Sequence, residues 1–92
     1  MSKVILQGYI IVPDADFVKV KKGLETHINL TKQEAGCLIF NVKQDDINNN
    51  KFNVYEEFTD QQAFDNHQLR VKKSNWGKIT ANFKRHYRIS NG

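Results

Sequence analysis

The sequence predicts an α+β fold in the order strand, helix, strand, strand, helix, strand. Three observations carry it. Four short runs are rich in β-branched and aromatic residues, two intervening stretches repeat apolar residues at three- and four-residue steps, and turn-forming clusters separate them. This βαββαβ order matches the split βαβ arrangement, a four-stranded antiparallel sheet carrying both helices on one face. The 92 residues are expected to form one domain, 1–92.

The first strand is the run from Lys3 to Val12, stopped by Pro13-Asp14. Asp14 or Asp16 is expected to cap the helix that follows, because a carboxylate accepts the free N–H groups of the first turn. Phe17, Val20, Leu24, Ile28 and Thr31 form one mostly apolar stripe along this helix, with Lys19, Lys22, Glu25 and Lys32 pointing away. The helix is expected to end near Glu34 and Ala35, with Gly36 as its stop. Cys37 to Lys43 reads as the second strand, Asp45 to Asn50 as a polar hairpin loop, and Lys51 to Phe58 as the third strand. Thr59 is the expected cap of a second helix with Phe64, His67 and Val71 on one face. Ser74-Asn75-Trp76-Gly77 interrupts it, a further helical turn runs from Gly77 to Ala81, and Phe83 to Ile89 is the fourth strand.

The strands are apolar on both faces. Val4, Leu6, Ile10 and Val12 oppose Ile5, Tyr9 and Ile11, and Leu38, Phe40 and Val42 oppose Cys37 and Ile39. In the third strand Phe52, Val54 and Phe58 oppose Tyr55. A sheet with one wet face alternates more cleanly. Two helices cover only one face, so the other is expected to meet a second copy of the chain. Self-association also suits a chain whose core is small and whose only cysteine, Cys37, excludes an intrachain disulfide.

No run approaches the roughly 18 apolar residues of a membrane span, and the N-terminus shows no signal-peptide cleavage region. A cytoplasmic protein without a membrane partner is expected. The net charge is +4, with much of the excess late in the chain, a pattern typical of a solvated face. An RNA-recognition domain shares the βαββαβ order. Its central aromatic strand, however, needs a Gly that Lys51–Phe58 lacks, and Glu56 and Glu57 would repel phosphate. Nucleic acid is therefore not an expected partner. No nucleotide-cradling glycine loop occurs, and the three histidines, His27, His67 and His86, are too dispersed in sequence to suggest a metal site.

The segment Gly36-Cys37-Leu38-Ile39-Phe40-Asn41-Val42 through Gln44-Asp45 resembles the "GCLxFxVxxD" strand of the antibiotic-biosynthesis-monooxygenase family. Phe52 to Asp60 with Ala63, Phe64 and His67 resembles its "FxxYExFxDxxAFxxH" segment. With the first and last strands, the resemblance covers nearly the whole chain. It implies a ferredoxin-like fold paired sheet to sheet as a dimeric α+β barrel. It also implies oxidation of quinols, anthrones or related small aromatics without flavin or metal, so no cofactor. The family includes haem-degrading enzymes and an isomerase as well, so it speaks to fold more than to reaction. Many members carry a second His about five residues after the first. Here that stretch reads Gln68-Leu69-Arg70-Val71-Lys72-Lys73.

His67 is the leading candidate for chemistry, because an imidazole on the apolar face of a helix has a pKa open to adjustment. Glu56 shares the strand face of Phe52, Val54 and Phe58, so it needs a partner or becomes neutral. His67 as base and Glu56 as its orienter make the expected catalytic pair. Arg70, Trp76 and Tyr55 are expected to bind the substrate, and Gln7 and Asn41, polar residues inside apolar strands, to hydrogen-bond it. The competing expectation is a non-catalytic homodimer of the same fold that binds a small ligand or is purely structural.

Overall fold

Strand β1 (Val4–Ile11) sits inside the sheet because its alternate residues Val4, Leu6 and Ile10 are almost wholly buried. The protein is described by a computed structural model covering residues 2–92. β1 pairs antiparallel with β3 (Lys51–Phe58) on one side and β4 (Arg85–Asn91) on the other. β2 (Cys37–Gln44) adds outside β3, giving the order β2-β3-β1-β4. All pairings are antiparallel, and the fold is the expected ferredoxin-like α+β arrangement.

Helices α1 (Phe17–Lys32), α2 (Gln61–Lys73) and α3 (Asn75–Thr80) complete the chain. Val20 and Leu24 of α1 and Phe64 of α2 pack with Val4, Phe52, Val54 and Phe58 into the core. Burying each such side chain contributes about 1.5–3 kcal/mol. Among the described residues, no helix is long and apolar enough to cross a membrane.

Several boundaries differ from expectation, each for a local reason. Neither Asp14 nor Asp16 caps α1 through its side chain. A short 3-10 turn over Asp14–Asp16 precedes the helix, and the Asp14 carboxylate instead accepts from Asn50 Nδ2 at 2.7 Å. α1 ends at Lys32, before Glu34, and the chain turns through Gly36 at φ 105°. A Cβ on Gly36 would lie 2.6 Å from that of Ala63, so glycine is needed both for backbone conformation and for the approach of α2. Thr59 does not cap α2; it stands one residue before the cap, and its N–H donates to Gly36 O at 2.9 Å. Asp60 does, accepting from Ala63 N at 2.9 Å.

α3 starts earlier than Gly77. Ser74 donates its hydroxyl to Val71 O at 2.7 Å and accepts from Gly77 N at 3.1 Å, ending one helix and capping the next. A Cβ on Gly77 would lie 2.0 Å from Val71 O, so this tight return requires glycine. In β2 an irregularity between Cys37 and Ile39 breaks the alternation. Cys37 consequently packs against the core instead of facing away from it, and Leu38 is half exposed.

Candidate functional site

A cavity of about 180 Å³ lies between the helices and the sheet. Its floor crosses all four strands: Phe40 and Val42 of β2, Val54 and Glu56 of β3, Leu6 and Ile10 of β1, Arg85 and Tyr87 of β4. Its roof is His27, His67, Gln68, Val71 and Trp76. The period of two in the strands and of three to four in the helices delivers these side chains to one space.

His67 occupies one end, 3 % exposed, with its ring 4.9 Å from that of Phe58 and 5.8 Å from that of Phe40. Its Nδ1 lies 2.8 Å from Glu34 Oε1. Arg70 Nε donates to the other oxygen of the same carboxylate, and Arg70 Nη2 donates to Thr31 Oγ1 at 2.8 Å. A carboxylate can only accept, so Nδ1 carries the proton and Nε2 keeps its lone pair. Nε2 lies 3.7 Å from Glu56 Oε1. The residue that orients the His67 ring is thus Glu34, at the turn that Gly36 makes possible, whereas Glu56 stands on the Nε2 side of the ring.

Burial lowers the His67 pKa below its ordinary value, although Glu34 pulls it upward. Glu56 is buried, and Oε1 has no hydrogen-bond partner among the described residues. Loss of solvent, helped by the negative charge of Glu34, lifts its carboxyl to about 8. Near neutral pH the pair is therefore a neutral imidazole beside a neutral carboxylic acid. That combination can take a proton at one atom and donate a hydrogen bond from the next.

His27, which sequence reasoning did not assign to the site, is also part of it. It stacks on Trp76 with centroids 4.9 Å apart and planes 8° from parallel, and its centroid lies 6.1 Å from that of His67. Burial, with His67 and Arg70 adding to the effect, drives its pKa down to about 3. Its position three residues after Leu24 and four before Thr31 places it on the buried stripe of α1, which is the sequence signal that identifies it. His86 is remote from this pair, on the opposite face of the sheet, where it stacks on Tyr9.

The other expected binding residues divide. Trp76 lines the cavity with His67 and Glu56. Arg70 stands behind His67, bound to Glu34 and Thr31, and reaches a second cavity of about 120 Å³ on the far side of the His27–Trp76 stack. Tyr55, Gln7 and Asn41 occupy the opposite face of the sheet, in a row set by the pairs Asn41–Tyr55 and Gln7–Tyr55. Tyr55 donates its hydroxyl to Glu57 Oε2 at 2.6 Å. None of the three lines the cavity that holds His67.

Residues 4–70 match the family model described as antibiotic biosynthesis monooxygenase. No curated protein matches the chain. Among solved structures, the chain is similar to a Nitrosomonas europaea protein that carries the antibiotic biosynthesis monooxygenase name. The TM-score is 0.81 at 18% identity, covering 98% of this chain and 89% of that one. A Caulobacter crescentus protein of the same name gives a TM-score of 0.81 at 13% identity, covering 99% and 90%. MupZ from Pseudomonas fluorescens gives 0.78 at 19% identity, covering 95% and 69%. Structural likeness at these identities speaks for the fold alone. The family model, spanning most of the chain, speaks for descent: the protein belongs to the antibiotic biosynthesis monooxygenase family.

Proposed function

We propose that the chain is a cofactor-independent monooxygenase acting on a small aromatic, quinol-like or enolisable molecule. The observation that carries this reading is the Glu34–His67 pair, which holds a neutral imidazole with its basic nitrogen toward a cavity lined in about equal parts by apolar and polar side chains. An apolar cavity of roughly 150 Å³ holds benzene, so about 180 Å³ suits a single ring.

His67 Nε2 removes the phenolic or enolic proton, and the anion is electron-rich enough to reduce dioxygen. One oxygen atom stays on the substrate as a carbonyl and the other leaves as water, so a phenol and dioxygen give a quinone and water. Glu56, still protonated, donates a hydrogen bond to the oxygen on which negative charge collects. The low dielectric of the cavity strengthens that interaction.

The test is oxygen consumption with a panel of single-ring phenols and hydroquinones, with the quinone identified by its absorbance. Uptake above the enzyme-free rate is expected for at least one of them. Rates equal to the enzyme-free control across the panel, with binding intact, would replace this reading with that of a non-catalytic ligand-binding protein.

The same reading includes a homodimer paired through the open sheet face. Ile5, Tyr9 and Ile11 of β1 stand there only half-buried and Ile39 of β2 exposed, an apolar surface that a second copy would cover. Sedimentation equilibrium is expected to give twice the chain mass. A monomer at micromolar concentration would remove the pairing.

A further inference from the structure

The reaction above leaves one wall of the cavity unused. Arg85 and Tyr87 line it from β4, and their pairing with Ile10 and Gly8 of β1 sets both on the helix-bearing face of the sheet. Glu56, at the other end, pairs with Leu6, four residues along β1 from Ile10. The acid–base pair and the guanidinium thus approach the cavity from opposite ends.

Arg85 donates one N–H to the carbonyl of Thr80, the last residue of α3, which fixes its head at the cavity rim. A guanidinium has five N–H donors in a planar fork. Among the described residues, no carboxylate lies within ion-pairing distance of Arg85, since the ion pairs present join Lys3 with Glu57, His67 with Glu34 and Glu56, and Arg70 with Glu34. A guanidinium also stays charged throughout the working pH range.

The rest of the wall does not balance that charge near neutral pH. Burial holds His27 and His67 in their neutral forms and Glu56 in its acid form up to about 8. It likewise keeps Tyr87 a phenol up to about 12, leaving it able to donate a hydrogen bond. Behind His67, Glu34 and Arg70 offset each other. The cavity is left with one fixed positive charge, the exposed guanidinium at its rim, and no opposing negative charge.

We infer that the ligand of this cavity is an anion: a single hydroxylated ring bearing a carboxylate, gripped by Arg85 at one end with its hydroxyl presented to His67 at the other. This rests on reading the cavity as the substrate site and narrows the substrate class to hydroxyarenecarboxylates. The planar fork of the guanidinium donates to both carboxylate oxygens at once, an arrangement that a neutral amide cannot match.

Trp76 is the only tryptophan of the chain and lines this cavity, so its fluorescence reports occupancy. Titration of the full chain with para-hydroxybenzoate and with its neutral isostere para-hydroxybenzamide is the experiment. The acid is expected to bind about tenfold more tightly, the equivalent of about 1.4 kcal/mol. Arg85→Gln should bring the affinity for the acid down to that of the amide and leave the amide unchanged, which also shows that the variant is folded. Lys72→Gln, an exposed charge on α2, should leave both affinities unchanged. Equal binding of acid and amide by the parent protein, a preference that survives Arg85→Gln, or no quenching by either compound would each overturn the inference. The two readings fail separately. Absent oxygen uptake with the charge preference intact removes only the oxygenase, and uptake with equal binding removes only the anion.

Discussion

His67→Gln is expected to lower kcat by about 10²–10⁴-fold, the usual contribution of a positioned general base, with the substrate identified by oxygen uptake. Glu34→Gln should come close to the same loss although Glu34 does not line the cavity. The reason lies in the two partners of that carboxylate. Arg70 Nε donates to one oxygen and His67 Nδ1 to the other. A glutamine offers only one oxygen, and the charged guanidinium, which can only donate, claims it. The amide NH₂ then faces Nδ1 and forces the imidazole proton onto Nε2, removing the base from the cavity. In a Ser-His-Asp triad, the corresponding wrong tautomer costs about 10⁴-fold. Nitrogen NMR of the His67 ring separates this positioning role from a merely structural one, because the protonated nitrogen should change from Nδ1 to Nε2. An unchanged tautomer with unchanged kcat would show that Glu34 does not orient the base.

The fold was legible because the strands and helices obey their periods. Burial alternates along Lys51–Phe58, with Phe52, Val54, Glu56 and Phe58 turned inward, and the third strand has the bounds that its β-branched and aromatic run predicts. The same alternation separates Glu56 from Tyr55, so the parity of β3 alone places Tyr55, and with it Gln7 and Asn41, across the sheet from His67. Glu34 was harder to find. It lies beyond the end of α1, and although the turn at Gly36 is legible, its role depends on the tertiary approach of α2, which local pattern does not encode. His27 was hidden by chemistry. A histidine breaks an apolar stripe on paper, yet the ring packs like an aromatic once its pKa falls to about 3. The β2 irregularity leaves no trace in residue types, so the face of Cys37 was assigned by an alternation that the backbone does not keep there.

Between about pH 6.5 and 8 the protein is expected to lose stability as pH rises, and Glu56→Gln should abolish that loss. The sign follows from which state holds the proton. The folded carboxyl titrates at about 8 against an ordinary 4.5, so in this window the folded chain keeps a proton that the unfolded chain has released. Deprotonation pulls the equilibrium toward the unfolded state, by about 2 kcal/mol across the window. The histidines act the other way but lower down. His27, held to about 3 from 6.5, and His67, lowered in the same direction, favour the folded chain as pH rises to about 6.5 and contribute no further change above it. Stability should therefore peak near pH 6.5, fall on the acid side as the histidines of the unfolded chain take up protons, and fall on the alkaline side through Glu56. Urea denaturation at intervals from pH 5 to 9 reads both limbs. In Glu56→Gln the acid limb should steepen, because Glu56 no longer offsets His27 between about 4.5 and 6.5, and the limb between 6.5 and 8 should flatten. If that limb is already flat in the parent protein, Glu56 is ionised in the folded chain at neutral pH. It could not then serve as the hydrogen-bond donor beside His67, and the proposed stabilisation of the substrate anion would have to come from elsewhere in the cavity.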